Sequence, residues 1–229
     1  MSNLYIVATP IGNLEDMTFR AVRILKEVDL ILCEDVSNAE KLFKHFDINT
    51  KATNYFSNSK LSKIDNIIKL LEEGKDIALI SDAGMPTISD PGSLLIQKIY
   101  EKIDSGLEAK IKVIPGATAF ASAFALSGFT GNKFIFYGFL PHKKGRETLF
   151  KEIENNNYIS IFYESVHRIE KTIDYLEKIL KEDRLLIIVK ELTKIHEEVV
   201  RGNASFIKEY FKKYKDKIKG EFVIVVDGK

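Results

Sequence analysis

Short apolar runs of strand length alternate with segments of helical period along this chain, and that alternation leaves few architectures open. Residues 5–9 read as a strand, and residues 18–26 as a helix with Thr18 as its N-cap. Residues 29–33 are strand-like and 38–45 helical. A helix over 61–73 closes at Gly74. A strand over 77–81, a helix over 93–102, a strand over 112–114 and a small-residue helix over 117–126 continue the order. Such βα alternation indicates a mostly parallel sheet. The second half repeats the logic with more antiparallel character. Strands are expected over 134–138, 158–163, 185–190, 197–201 and 222–226, and helices over 146–154, 166–180 and 205–214. No Pro/Gly/Ser-rich linker separates the halves. The best boundary is the Pro115-Gly116 turn, giving an N-terminal α/β domain over 1–115 and a mixed-sheet α/β domain over 116–229.

With 229 residues, 45% of them hydrophobic, the chain has ample material for one or two cores. Lys and Arg number 34 against 33 Asp and Glu, a net charge of +1. A binder of free nucleic acid is usually more basic. Local basic patches, or a folded ribonucleoprotein as partner, remain compatible. The one cysteine, Cys33, sits in an apolar run and reads as a core thiol in a reducing compartment. Histidines 45, 142, 167 and 196 have no metal-ligand spacing. No targeting segment or membrane span is evident, so a soluble cytoplasmic protein is expected.

Residues 79–92, LISDAGMPTISDPG, carry the most chemistry. A strand runs into two acids, two glycines and two prolines before a helix begins. Open α/β sheets place ligands at such strand ends. Prolines fix φ and glycines admit close backbone approach, so this loop is shaped. The fingerprint G-x-G-x-x-G is absent, so an ordinary Rossmann dinucleotide site is unsupported.

Other segments accompany that loop. The first strand ends in Thr9-Pro10-Ile11-Gly12-Asn13. Later come IPGATAFASAFALSG (114–128), YGFLPHKKGR (137–146), IFYESVHR (161–168), KELTKIHEEVVRG (190–202) and GEFVIVVDG (220–228). As an ordered set they closely resemble the ribosomal RNA small subunit methyltransferase I family, a branch of the tetrapyrrole (class III) methylases. The likeness runs from about Asn3 to Gly228.

The resemblance implies two α/β domains with a cleft between them for S-adenosylmethionine. It implies transfer of the methyl group to the ribose 2′-hydroxyl of a decoding-region cytidine in 16S rRNA. Pro10, Asp82, Ala83, Gly84, Met85 and Pro86 would line one side of the cofactor, and Ala117 and Thr118 would follow. Phe162, Tyr163, Leu192, Gly220, Glu221 and Phe222 would close it from the second domain, although Phe162 and Phe222 equally suit strand core. The ribose hydroxyl is a poor nucleophile until deprotonated. Carboxylates and a histidine at strand ends are candidate bases: Glu34, Asp35, Asp90, Glu164, His167 and Glu197. Glu164, His167 and Asp90 lead. Lys143, Lys144 and Arg146 form a basic turn before a helix, suited to phosphates. Arg168, Thr193, Lys194 and Arg201 would extend that surface. The lysine-rich stretch 208–219 reads most simply as an amphipathic surface helix. The family resemblance also implies a homodimer acting on small-subunit rRNA, in the assembled subunit.

The sequence departs from the family pattern in places. Glu34-Asp35-Val36-Ser37 stands for EDTR, which removes an arginine. Tyr55-Phe56-Ser57-Asn58-Ser59 replaces a His/Glu/Asn-rich stretch, with Asn58 able to keep part of its role. Met85 stands for threonine and Val166 for proline. Two alternatives therefore stay open: a same-fold methylase of a tetrapyrrole or protein side chain, and a non-catalytic ribosome-assembly factor.

Overall fold

A computed structural model of the chain describes residues 1–56 and 61–229. They form two units, Met1–Thr118 and Ala119–Lys229. Ser57, Asn58 and Ser59, and with them the expected role of Asn58, lie outside the described residues.

The first unit is a five-stranded sheet in the order β3-β2-β4-β1-β5, with every pairing parallel. Its strands are β1 (Ser2–Val7), β2 (Leu30–Cys33), β3 (Ala52–Asn54), β4 (Ile77–Leu79) and β5 (Ala109–Ile114). Side chains alternate across the sheet. Val7, Ile31, Cys33 and Ala78 meet α1 (Phe19–Glu27) and α2 (Val36–His45) on one face. Leu4, Leu32, Ile77 and Leu79 meet α3 (Leu61–Glu72) and α4 (Ser93–Asp104) on the other. The inner strands β2 and β4 are therefore buried on both faces, which is why their runs are apolar throughout. Thr18 caps α1 by accepting from the Ala21 amide, as expected. Asp35 caps α2 through the Ser37 amide, so that helix starts at Val36 rather than residue 38. β3 has no apolar pattern to announce it. It is an edge strand selected by ladder bonds, Ile31 N–H to Lys51 O and Tyr55 N–H to Cys33 O.

The second unit is a mixed sheet in the order β6-β7-β10-β8-β9. Its strands are β6 (Phe134–Phe139), β7 (Ile159–Ser165), β8 (Leu185–Lys190), β9 (Glu198–Asn203) and β10 (Glu221–Val226). Only β6 and β7 pair in parallel. Helices α6 (Arg146–Asn155), α7 (Ile169–Ile179) and α8 (Ala204–Lys213) build one core with Phe162, Ile188, Phe222 and Ile224. The apolar helix α5 (Ala119–Ser127) packs on β7, β8 and β10. α7 begins three residues later than its pattern suggested. Residues 165–168 instead form a turn, closed by Arg168 N–H to Ser165 O. No helix among the described residues is long and apolar enough to cross a membrane.

Candidate functional site

In the first unit β1 leads to α1 on one face, while its neighbour β4 leads to α4 on the other. Where adjacent strands send their connections to opposite faces, a crevice opens at the strand ends. The loops leaving β1 and β4 are stitched together there. Thr9 and Gly84 exchange both main-chain hydrogen bonds, at 2.9 and 3.1 Å. The Thr9 hydroxyl donates to Ser81 O at 3.1 Å, and the Ser81 hydroxyl reaches Gly84 O at 3.3 Å. Gly84 has φ +82°, and an added Cβ would stand 3.1 Å from Ile11 Cγ2. Gly116 lies so near β1 that its Cβ would meet Ala8 Cβ at 2.8 Å. Farther along, Thr87 and Ser89 hold left-handed φ of +74° and +67°. Such residues each carry about 1–3 kcal/mol of strain and gather at functional loops.

A cleft of about 260 Å³ lies along these loops, lined by Thr9, Pro10, Ile11, Asn38, Ser81, Asp82 and Ala83 among others. It unites three residues expected at the cofactor: Pro10, Asp82 and Ala83. Gly84 bonds Thr9 beside them. Met85 and the buried Pro86 continue the loop. Ala117 and Thr118 follow β5, ahead of α5, and Ala117 O is 3.5 Å from where a Gly84 Cβ would be.

The cleft lining carries one acid, Asp82, and one base, Lys41, and two further acids, Glu34 and Asp90, lie close enough to interact with Asp82. The Asp82 carboxylate accepts from the Asp35 amide at 3.3 Å and Asn38 Nδ2 at 2.7 Å, which ties the β4 loop to the start of α2. Burial, and then the charges of Glu34 and Asp82, push Asp90 up to about 6, with a Ser81 hydrogen bond offsetting part. Burial, then Asp82, raises Glu34 as well. A ligand bearing a sulfonium, an ammonium, a carboxylate and ribose hydroxyls meets charge of both signs, on Asp82 and Lys41, and close-approach backbone here, so these residues fit an adenosyl methyl donor.

The second unit corrects several expectations. Glu164 is fully buried rather than set at a sheet edge. Its carboxylate is held by Arg146 Nη2 and Arg168 Nε, each at 2.7 Å, by the Thr172 hydroxyl at 2.7 Å and by the Ser165 amide at 2.8 Å. A carboxylate so paired and enclosed is not available to a substrate proton. Arg146 and Arg168 are likewise turned inward, with side chains 15% exposed, instead of forming a phosphate-facing surface. The sequence contained the signal: Glu164 lies two residues beyond Phe162, on the same inward face of β7. His167 is exposed in the turn before α7. Lys143 and Lys144 are exposed as expected.

The rings of Phe162 and Phe222 are core. The Tyr163 hydroxyl accepts from the Phe120 amide at 3.3 Å. Leu192 sits in a turn between Glu191 and Thr193, which hold φ of +50° and +67°. Gly220, at φ +79°, leaves room for the Glu191 side chain, and the Glu221 amide donates to Glu191 Oε1 at 3.0 Å. Lys194 pairs with Glu191 at 2.9 Å and Glu221 at 3.0 Å, so its charge is already balanced. Exposed Arg201 donates to Ser127 O at 3.3 Å and lies over the Phe129 ring. Asn38, Ser81 and Thr172 were not singled out from sequence. Short polar residues look alike there, and only the fold brings each to a charged partner.

The model of the tetrapyrrole (corrin/porphyrin) methylases matches residues 3–207, and the chain belongs to this family. Ribosomal RNA small subunit methyltransferase I of Thermotoga maritima is 43% identical over 229 residues, 100% of both chains. The protein of the same name from Bacillus subtilis is 41% identical, over 100% of this chain and 76% of its own. Among solved structures, the methyltransferase CobJ matches with a TM-score of 0.69 at 16% identity, over 100% of this chain and 95% of that one. Diphthine synthase gives 0.70 at 15%, over 100% and 90%. At such identities these two speak for the fold alone.

Proposed function

We propose that this chain is an S-adenosylmethionine-dependent methyltransferase of small-subunit ribosomal RNA. The observation that carries the reading is the 43% identity over the whole chain to a protein bearing that name. Bound S-adenosylmethionine supplies an activated methyl group. The Thr9–Gly84 stitch and the shaped loop after β4 would hold the donor, and Asp82 would face its positive charge. The acceptor is the 2′-hydroxyl of a decoding-region cytidine, which must lose a proton as the new C–O bond forms. Asp90 is the residue we assign to receive it. Its carboxyl, raised to about 6, is ionised at neutral pH yet more basic than an ordinary aspartate. Lys143 and Lys144 meet phosphates. The substrate is the assembled subunit, where the chain's near-neutral charge is no handicap, and the protein works in the cytoplasm. A homodimer is part of this reading. Leu126, Phe134 and Phe139 are 46%, 42% and 56% exposed beside the apolar α5, a surface suited to a second copy.

The test uses donor labelled in its methyl group and small subunits from a strain lacking this modification. Nuclease digestion and mass spectrometry locate the label. Label on a cytidine ribose is the expected result. Label on a base or on protein would overturn the assignment. Donor binding without any transfer would favour the assembly factor.

A further inference from the structure

Two motif segments, YGFLPHKKGR and IFYESVHR, converge on the Glu164 carboxylate. Each arginine that grips it keeps further N–H groups, and each uses one on the main chain before α6. Arg146 Nη1 donates to Pro141 O at 3.1 Å, and Arg168 Nη1 donates to Leu140 O at 2.8 Å. Those carbonyls open the loop that carries His142, Lys143 and Lys144. The Arg146 amide closes it by donating to Lys143 O at 3.2 Å. Gly145, at φ +85°, then starts α6 without a side-chain cap. The loop's own side chains are exposed, so the two guanidiniums hold its main chain from beneath.

We propose that Glu164 is a positioning residue. Through Arg146 and Arg168 it fixes the main chain of residues 140–145, so that Lys143 and Lys144 are presented ready-made to RNA phosphates. The proposal rests on the rRNA reading above. Three points support it. A buried ion pair is a poor device for stability alone, since apolar residues would fill the same space at least as well. Only a guanidinium can bridge a carboxylate and a carbonyl with a rigid fork. A loop ordered in advance loses less entropy when it binds.

The test compares the whole protein with Glu164→Gln and with Arg168→Lys. Arg168→Lys retains the positive charge beside Glu164 but loses the fork. Hydrogen exchange of the Arg146 amide, which closes the loop on Lys143 O, should speed up about tenfold or more in both variants, as a released loop would. KM for small subunits should rise about tenfold, with kcat and donor affinity within about twofold. In a Lys143→Ala/Lys144→Ala background, Glu164→Gln should raise KM no further, because the groups being positioned are gone. A merely structural role would add its effect there, and that additivity would overturn the proposal. So would unchanged exchange in the loop, or a fall in kcat at constant KM. If Glu164→Gln does not fold, Arg168→Lys decides. If the unaltered protein transfers no methyl group to subunits, the rRNA reading fails, and loop exchange alone still judges the role of Glu164.

Discussion

Replacing Asp90 with asparagine should stabilise the protein near neutral pH and cripple it as an enzyme. Asp90 titrates at about 6 in the fold against an ordinary 3.8. At about 1.4 kcal/mol per tenfold change in proton affinity, the folded protein carries an ionised Asp90 at a cost of up to about 3 kcal/mol. The residue is only partly buried, so solvent screens part of this, and about 1–1.5 kcal/mol is the expected effect. The direction is fixed by which state holds the proton. Between about pH 4 and 6 the folded chain keeps Asp90 protonated while the unfolded chain has released it, so stability falls as pH rises through that window. Asparagine has no charge to accommodate. Urea denaturation of Asp90→Asn and the unaltered protein should therefore coincide near pH 4. The curves should separate through pH 6, with the variant staying ahead above it. Methyl transfer by the variant should drop about 10²–10⁴-fold, the usual contribution of a positioned base. A variant less stable at pH 7.5, or a gap that persists at acid pH, would refute the electrostatic argument. Unchanged kcat would remove Asp90 from the chemistry.

Other expectations concern the loops and the core. Gly84→Val should abolish donor binding in calorimetry, since its backbone sits at positive φ with Ile11 already close. Lys143→Ala/Lys144→Ala should lower the slope of log affinity for rRNA against log salt by about 1–2, read by filter binding at several ionic strengths. Buried Arg184 donates to the carbonyls of Glu154, Asn156 and Asp227. Arg184→Met should lower unfolding stability by about 2–4 kcal/mol in urea, leaving the Glu154 and Asp227 carbonyls without this donor while Asn156 O keeps the Lys229 amide.

The strand–helix order of the first unit was legible because its inner strands are buried on both faces and each helix has a clear apolar stripe. Even the Thr18 cap could be read. β3 could not, because an edge strand of three residues is chosen by main-chain bonds that leave no mark on composition. The chemistry divided in the same way. The loop after β4 announces itself through its glycines, prolines and acids, and its first residues, Ser81, Asp82 and Ala83, line a cleft with the loop after β1. Glu164, Arg146 and Arg168 were misjudged because charge suggests solvent. Only the parity of β7 placed Glu164 inside, and only the fold delivered two arginines to it. Lys194 failed similarly, since the acids that neutralise it lie on separate segments.

The order of the first sheet also bears on how the chain is made. β1 lies between β4 and β5, so the strand of this sheet that is made first is among the last to find both neighbours. Its partner residues in β5, from Ala109 onward, emerge about a hundred residues later. Until β5 is made, the side of β1 away from β4 is an open apolar edge at Leu4, Ile6 and Val7, the kind of nascent segment that chaperones shield. The second unit meets the same delay on a smaller scale, because β10, its central strand, is made last. Slower synthesis or added chaperone should therefore raise the yield of folded protein.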